Sequence, residues 1–324
     1  MTLPMKKMKN LLTLVAALAS IGLHAQGNRL VVAHDGSGNY TTVQAAFDAV
    51  PEHNEAPIII FVKKGLYVEK LHLDSTKNFV TLQGEDRFTT ILSYDDHTGK
   101  VSPAGDTINT FTSESVRIDA DDFLAQNISF QNSAGPTAGQ AVAVRITGHQ
   151  SVFRNCRFLG NQDVLFPSQP ATFQYFERCY IEGTTDFIFG PSTAWFEHCE
   201  IRSKKNSHVT AASTPQETPY GYVFNECTLT ADTSLHAVSL GRPWRSYSSV
   251  TYLNCYLGAH ILPEGWNNWK NKNNELTARY AEYNSCGPGA NPERRLPWIR
   301  QLTEREAKFI NLNRLFGEWN PLTR

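Results

Sequence analysis

The stretch Asn155-Cys156-Arg157-Phe158 contains the pattern that organises this chain, namely a polar residue, a cysteine, any residue and then an apolar residue. The pattern returns at Arg178-Cys179-Tyr180-Ile181, His198-Cys199-Glu200-Ile201, Glu226-Cys227-Thr228-Leu229 and Asn254-Cys255-Tyr256-Leu257, and Asn127-Ile128-Ser129-Phe130 has the same form with isoleucine in the cysteine position. Successive positions are 28, 23, 20, 28 and 28 residues apart. A constant phase with a variable period is typical of a solenoid whose loops differ in length.

Short alternating runs of β-forming residues surround each repeat, for example Phe173-Gln174-Tyr175-Phe176, and no helix-length periodic segment separates them. Coils of this length without helices predict an all-β, single-stranded parallel β-helix. Because alternate residues of a strand share a face, the cysteine and the apolar residue two positions later should point inward. The cysteines are then expected to be small buried side chains stacked at about 4.8 Å. Disulfides between neighbouring coils are an alternative, and metal binding is disfavoured because no CxxC pair exists.

The two ends of the chain carry different signals from the repeats. Residues 41–50 predict a short helix, with Thr41 and Gln44 as a capping box and Pro51 as its end, which would cover the open first coil. Thr303 and Glu306 form a second predicted capping box in a tail that packs along the solenoid. With no linker-like change of composition between these ends, residues 26–324 are expected to form one domain.

The first residues have the composition of an export signal. Lys6, Lys7 and Lys9 precede an apolar run over residues 11–23, and small residues follow near Ala25. This order predicts a signal peptide over residues 1–25 and a secreted or periplasmic protein, with a retained anchor as the alternative. The apolar run is short for a membrane span, so no stable membrane insertion is expected after cleavage.

Composition excludes several classes of protein. The chain has 324 residues, 30 Lys and Arg against 31 Asp and Glu, and 41% hydrophobic residues, which is typical of an ordinary globular protein. The near-neutral balance excludes a strongly basic nucleic-acid-binding protein, so no nucleic-acid partner is expected.

The repeat phase brings two carboxylates together. Asp163 lies seven residues after Cys156, and Asp186 lies seven residues after Cys179, so both aspartates occupy the same place on adjacent coils. Two carboxylates about 4.8 Å apart cannot both ionise at low cost, so one pKa rises relative to the other. This arrangement suits one acid and one nucleophile or base. Turn capping by the two aspartates is the structural alternative.

Several ordered motifs identify a family. The segments are HDGSGNYTTVQAAFDAVP (34–51), GLYVEK (65–70), QAVAVR (140–145), NQDVLF (161–166), GTTDFIFG (183–190), LGRPW (240–244) and PEGWNNW (263–269). In order and approximate spacing they resemble the pectin methylesterases across nearly the whole mature chain. The resemblance implies a right-handed parallel β-helix, in agreement with the repeat and with the handedness of parallel crossovers.

The resemblance also implies roles for residues and a substrate, methyl-esterified homogalacturonan. Asp186 would be the nucleophile and Asp163 the general acid and then base, while Arg242 would pair with Asp186 and keep it ionised. Gln140 and Gln162 would donate amide hydrogens to the oxyanion. An acyl-enzyme would form and then be hydrolysed, giving methanol and polygalacturonate in a monomer that needs no metal or organic cofactor.

Substrate contacts follow from the same resemblance. Phe189 and Trp244 match positions that contact sugar rings, Thr110 matches a weaker contact, and Trp266 is a further candidate for the groove. The chain departs from the family at Asn161, Phe166 and Pro167, the first two of which replace tyrosines. These changes affect substrate preference rather than the proposed chemistry. Ordinary packing and loop capping are the alternatives for the supporting residues.

Three other functions share parts of this pattern. A β-helical lyase or polygalacturonase needs Ca²⁺ ligands with a base, or acids that flank a glycosidic bond, and the glutamines with LGRPW disfavour both. A noncatalytic carbohydrate-binding solenoid would need the aromatic residues but not the aspartate pair. An esterase or thioesterase acting on another acyl group is chemically the nearest alternative.

Overall fold

The computed structural model describes residues 29–324, which wind into a right-handed parallel β-helix as the repeats predict. Each complete coil contributes one strand to each of three parallel sheets, called A, B and C in the order in which the chain visits them. The signal-peptide prediction falls outside the described residues. Within residues 29–324, none of the helices has the length and apolar character needed to span a membrane.

Sheet A has eleven strands, which in hydrogen-bonded order are β1 (Arg29–Val32), β2 (Ile58–Val62), β5 (Val80–Gly84), β8 (Leu124–Gln126), β11 (Ser151–Arg154), β14 (Phe173–Glu177), β17 (Thr193–Glu197), β20 (Tyr222–Asn225), β23 (Ser249–Leu253), β25 (Arg279–Tyr283) and β26 (Arg300–Gln301). Sheet B has eight, which are β3 (Gly65–Val68), β6 (Thr90–Tyr94), β9 (Ser129–Asn132), β12 (Arg157–Leu159), β15 (Tyr180–Gly183), β18 (Glu200–Ser203), β21 (Thr228–Ala231) and β24 (Tyr256–Leu257). Sheet C has seven, which are β4 (Leu71–Leu73), β7 (Val116–Ile118), β10 (Val144–Ile146), β13 (Leu165–Pro167), β16 (Ile188–Gly190), β19 (His208–Ala212) and β22 (Ser239–Gly241).

The repeated four-residue pattern is the turn from sheet A to sheet B. Its polar residue adopts a left-handed backbone conformation with φ between 50° and 55° at Asn127, Asn155, Arg178, His198, Glu226 and Asn254. The next residue points inward, and all five repeat cysteines are buried and free. Four of these thiols also donate a hydrogen bond to a main-chain carbonyl of the preceding coil. Cys199 Sγ, for example, donates to Phe176 O at 3.5 Å. The buried thiol ladder is therefore confirmed.

The core is filled coil by coil. The inward residues of sheet A form a column of stacked rings, whose centroids lie 5.0, 4.7, 4.4 and 4.5 Å apart along Phe153, Phe176, Phe196, Phe224 and Tyr252. These rings are nearly parallel because the strand spacing sets their separation. The thin interior thus gains both apolar burial and aromatic contact from each of these five coils.

A helix covers the first coils of the solenoid, with one change from the predicted boundaries. Helix α1 (Val43–Asp48) is capped by Thr42, whose side chain accepts from Ala45 N, and not by Thr41. The amide of Gln44 binds Asp48 and the main chain of His72 and so makes no capping box. Three further helices are α2 (Asn273–Thr277), α3 (Glu304–Phe309) and α4 (Leu312–Phe316).

The tail packs as predicted. The capping box of Thr303 and Glu306 begins α3, and α4 buries Leu315 and Phe316 against the outer face of sheet A. Arg154 donates to Pro321 O at 2.8 Å near the end of the chain. The C-terminal segment therefore covers sheet A and leaves the outer face of sheet C open.

Candidate active site

A cleft of about 280 Å³ lies on the outer face of sheet C. It contains eight of the nine residues predicted from the sequence, together with Phe111, Ala211 and Trp269. The predicted residues are Thr110, Gln140, Gln162, Asp163, Asp186, Phe189, Arg242 and Trp244. They come from five coils of the solenoid, so the parallel register is what assembles them.

The two aspartates lie at equivalent positions two residues before β13 and β16. Leu165 pairs with Ile188, which places Asp163 in register with Asp186. By strand alternation Asp163 would share the inward face of Leu165, yet it lines the cleft. Its φ is 68° and that of Asp186 is 51°. This left-handed conformation interrupts the alternation and turns both carboxyl groups outward, and non-glycine residues adopt it at a cost.

Arg242 holds one of the two carboxylates in a bidentate pair. Its Nε lies 2.9 Å from Asp186 Oδ1 and its terminal nitrogen lies 2.6 Å from Asp186 Oδ2. Arg242 follows β22 and is two coils away from Asp186, so its side chain must cross the intervening strand β19. Ala211 lies at the crossing point, in register with Phe189 on one side, and its small side chain leaves the space. The paired geometry orients Asp186.

The pKa values of the two carboxyl groups differ in the direction that acid and nucleophile roles require. Burial raises the pKa of both, since Asp163 is 7% exposed and Asp186 is 4% exposed. For Asp163, the charge of Asp186 adds to burial and raises the pKa well above its usual value. For Asp186, the guanidinium of Arg242 opposes burial. Asp186 therefore ionises before Asp163. The sequence predicted that Arg242 would lower the pKa of Asp186, but in the structure the effect of burial is larger and the pKa is raised.

His208 lies on the coil beyond Asp186, and its carbonyl accepts from Asp186 N at 2.8 Å. Burial, with a smaller repulsion from Arg242, lowers the pKa of His208 to about 4. The imidazole is therefore neutral above that pH and leaves Arg242 as the cation paired with Asp186. Its Nδ1 lies 2.7 Å from Ser239 Oγ, which fixes the ring.

The two glutamines occupy matched positions on neighbouring coils. Gln140 and Gln162 form an isolated parallel bridge, and Ala141 N donates to Gln162 O at 3.0 Å. Both side chains are partly exposed in the cleft beside Asp163. Two primary amides on one edge supply several N–H donors to a charge that develops in the cleft.

Aromatic rings form the walls of the cleft. Phe166 and Phe189 are in register on β13 and β16 and stack with centroids 4.2 Å apart and planes 6° apart. Trp244 meets Phe189 edge to face at 6.0 Å. Gly190 has φ 125°, and a Cβ there would come within 2.4 Å of Pro167 O, so this strand end requires glycine. The apolar walls suit the C–H faces of sugar rings.

Trp266 is the one predicted site residue that the structure does not bring to the cleft. It is 3% exposed, packs among the core rings and donates its Nε1 to Glu282 Oε1 at 2.8 Å. Trp269 lines the cleft instead, with its ring 3.7 Å below the Arg242 guanidinium carbon. Sequence reasoning missed Trp269, although it lies three residues further along the same PEGWNNW segment.

Metal ligation is not indicated by the arrangement of the described residues. Across residues 29–324, no group of three or more His, Cys, Asp or Glu side chains has a metal-binding arrangement. The two aspartates of the cleft interact electrostatically with each other, and Asp186 is hydrogen-bonded to Arg242. The site is thus a pair of unequal carboxyl groups flanked by amide donors and aromatic walls.

Comparisons with known proteins give one consistent family. The family model described as Pectinesterase matches residues 29–315. Pectinesterase 31 of Arabidopsis thaliana is 41% identical over 282 residues, covering 85% of this chain and 88% of that protein. The structure of pectin methylesterase from carrot has a TM-score of 0.84 at 31% identity and covers 91% of this chain and 95% of its own. A pectin methylesterase solved with a bound hexasaccharide has a TM-score of 0.80 at 26% identity, covering 90% and 98% of the two chains.

Proposed function

Because the chain belongs to the pectinesterase family and is a carboxylic ester hydrolase, we propose that it cleaves the methyl esters of homogalacturonan through an acyl-enzyme on Asp186. The observation that carries this proposal is the aspartate pair in register on adjacent coils, of which only Asp186 is held by a bidentate arginine. That asymmetry supports the division into a nucleophile and an acid.

Acylation begins with Asp186 ionised and Asp163 protonated. A carboxylate oxygen of Asp186 attacks the ester carbonyl carbon, and the electron pair of the carbonyl bond moves onto its oxygen. The side-chain amides of Gln140 and Gln162 donate to this oxyanion. The carbon–methoxide bond then breaks while Asp163 transfers its proton to the departing oxygen, which leaves as methanol. The remaining species is an anhydride between the sugar carboxyl group and Asp186.

Deacylation uses the same residues in reverse roles. Asp163, now a carboxylate, takes a proton from water as the water oxygen attacks the sugar carbonyl carbon of the anhydride. The bond to Asp186 breaks, and Asp186 leaves as a carboxylate that pairs again with Arg242. Asp163 is protonated once more, and the product is a free galacturonic acid unit that ionises in solution. Proton and charge are restored without a further group.

Substrate positioning falls to the walls of the cleft. Phe189, Trp244 and Trp269 offer apolar faces on both sides of the aspartates, and Thr110 lies at the rim, where its hydroxyl is 3.2 Å from that of Thr98. We assign these four residues to sugar contacts. Arg242, stacked on Trp269, has little freedom to leave Asp186 during the reaction.

We extend the proposal to export and assembly. The basic start and apolar run over residues 6–23 support a signal peptide that ends near Ala25, and residues 26–324 would then act as a single catalytic domain. The proposed reaction uses the two aspartates, Arg242 and the two glutamines, which already lie together in one cleft of one chain; it needs no residue of a second copy, and we propose a monomeric enzyme.

The first prediction concerns the reaction itself. Purified protein incubated with methyl-esterified pectin should release methanol without new reducing ends, loss of viscosity or unsaturated products. Asp186→Asn should lower the methanol release rate by about 10⁴-fold or more, because nucleophile removal in covalent hydrolases has effects of this order. The exposed Asp232→Asn is the matched control and should keep full activity.

Other outcomes separate the competing functions. Chain scission would assign a lyase or polygalacturonase, and binding without methanol release would assign a noncatalytic solenoid. Acetate or thiol release from alternative esters that exceeds methanol release would move the substrate to another acyl group. An active Asp186→Asn variant would remove Asp186 as the nucleophile.

A further inference from the structure

A second groove, of about 620 Å³, runs along the edge between sheets A and B. Its floor consists of the left-handed turn residues Asn155, Arg178 and His198, and its wall includes Arg157 and Tyr180, the first residues of β12 and β15. The catalytic cleft lies on sheet C, so this groove is on a different face of the solenoid. Its lining repeats from coil to coil at about 4.8 Å.

Two guanidinium groups in this groove flank an exposed aromatic ring. The guanidinium carbons of Arg87 and Arg157 lie 4.8 and 5.0 Å from the centre of the Phe88 ring, and Phe88 is 56% exposed. Among the described residues, Arg178 pairs with Glu177 at 2.8 Å, whereas neither Arg87 nor Arg157 forms a salt bridge. Arg87 donates to the amide oxygen of Asn155 at 2.7 Å. The groove thus presents cationic charge that the protein itself does not neutralise.

Two of the three turn residues on the floor, Arg178 and His198, are not asparagine. Asparagine tolerates the left-handed conformation better than longer side chains, and the equivalent turns use Asn127, Asn254 and Asn284. Asn284 and Asn254 also join across coils through their amides at 2.9 Å. Three turns of this ladder carry another residue, namely Arg178 and His198 in the groove, at φ 50° and 51°, and Glu226 on the next coil, at φ 52°. Departures from local preference of this kind concentrate at binding sites.

The nine lining residues include three arginines and a single carboxylate, Glu200, although the whole chain has a net charge of −1. A ligand that matches this groove carries several negative charges at regular spacing along a chain of apolar-faced rings. Guanidinium groups bind carboxylates in bidentate fashion, and aromatic rings pack against sugar C–H faces. A polyuronate offers one carboxylate for each ring along an extended chain.

We propose that this groove is a second carbohydrate site that binds de-esterified galacturonan, the anionic product of the reaction. The choice of galacturonate among polyuronates rests on the proposed function. Arg87 and Arg157 bind carboxylates of successive sugars, and Phe88 packs between them against a ring. Methyl esterification removes the charges that the arginines need, so the groove selects product segments over substrate segments. The enzyme is thereby held on chain regions that it has already processed.

The second prediction tests this site by titration calorimetry at low ionic strength with a short de-esterified oligogalacturonide. The wild-type protein should bind at two sites, the cleft and the groove. In the double variant Arg87→Gln/Arg157→Gln, affinity at the groove should fall about 100-fold, because each of the two charge-assisted contacts removed contributes about tenfold. Affinity at the cleft should stay unchanged. The control Arg202→Gln removes a paired arginine of sheet B outside the groove and should keep both sites.

Methanol release from a short esterified oligosaccharide is measured on the same proteins. It should be unchanged in the double variant, which shows that fold and cleft are intact. Unaltered two-site binding in the double variant would overturn the groove proposal. If single-stranded DNA of matched charge bound as tightly as the oligogalacturonide, the proposal would also be overturned, because the groove would then bind any polyanion and would not be specific for a sugar chain. Failure of wild-type methanol release would refute the proposed reaction instead, while the number of binding sites stays measurable.

Discussion

At the residue scale, the cleft separates two carboxyl groups of the same type by their surroundings. Asp163 and Asp186 occupy equivalent turns, share the left-handed conformation and are both almost fully buried. Only Asp186 has a cation within hydrogen-bonding distance, supplied by Arg242 from two coils away. Charge on Asp186 in turn favours the proton on Asp163. Environment therefore supports acid and nucleophile roles that residue identity alone does not distinguish.

The third prediction is that ionisation of the buried Asp163 lowers the stability of the folded protein. Because the pKa of Asp163 is raised by folding, the folded protein binds a proton that the unfolded chain releases above about pH 4, so stability falls as pH rises toward the folded-state pKa. Asp163→Asn removes this loss. Its Tm should match that of the wild-type protein near pH 3 and exceed it at pH 7, by about 2 °C for each kcal/mol.

Calorimetry at both pH values measures the gap in Tm. Asp106→Asn, at an exposed loop aspartate, serves as the control and should show no gap that grows with pH. A constant gap between Asp163→Asn and the wild-type protein would contradict a raised pKa. Activity should be lost in the same variant, which would show that the proposed catalytic acid is maintained at the expense of stability.

At the element scale, the turn from sheet A to sheet B sets the repeat. One left-handed residue turns the chain from sheet A into sheet B. The next residue points inward and faces its equivalents on both neighbouring coils, so this position requires an apolar side chain of limited size. Cysteine meets that requirement and donates its thiol to a carbonyl of the preceding coil, as Cys227 does to Phe196 O at 3.4 Å. The thiol ladder and the ring column of sheet A are products of one recurring turn.

The fourth prediction concerns thiol reactivity. Five cysteines are buried and free, while Cys286 lies exposed outside the ladder. A thiol reagent should therefore modify about one cysteine per native molecule and all six in guanidinium chloride without reductant. Cys286→Ser, as the control, should abolish the native reaction. Fewer than six reactive thiols in the denatured protein would indicate disulfides between coils.

At the scale of the whole molecule, a solenoid has two open ends and long exposed faces, and this chain covers them unequally. Helix α1 covers the first coils, and α3 and α4 lie over sheet A, where Phe316 contacts the ring of Phe173 at 5.3 Å. Sheet C remains accessible along the cleft. The tail therefore packs on the outer face of sheet A, whereas the cleft lies on the outer face of sheet C.

The fifth prediction separates these two faces. Phe316 is 2% exposed beneath the tail, so Phe316→Ala should lower the free energy of unfolding by about 3 kcal/mol. The rate of methanol release per folded molecule should stay unchanged, because Phe316 lies on α4 against sheet A, away from the cleft on sheet C. Phe309→Ala, at a half-exposed position of α3, should cost less than about 1 kcal/mol. Urea unfolding and activity well below Tm measure both quantities. A parallel loss of activity would show that the tail supports the cleft.

Much of the fold and site could be predicted from local signals. The phase of the cysteine pattern predicts the coils, because strand alternation and turn chemistry operate over a few neighbouring residues. The equal offset of Asp163 and Asp186 from that pattern predicts their register, which the pairing of Leu165 with Ile188 confirms. Exact element boundaries do not follow from these signals, as the shift of the helix cap from Thr41 to Thr42 illustrates.

The sequence by itself determined the parallel β-helix, the aspartate pair and its arginine, since each follows from local spacing or an ordered motif. The tertiary structure alone decided that Trp269 rather than Trp266 faces the cleft, that Ala211 opens the path of Arg242, and that burial raises the pKa of Asp186 despite this pair. It also assembled the arginine groove between sheets A and B. The physical reason is that burial and charge are sums over neighbours brought together from distant coils, whereas alternation and turns are properties of adjacent residues.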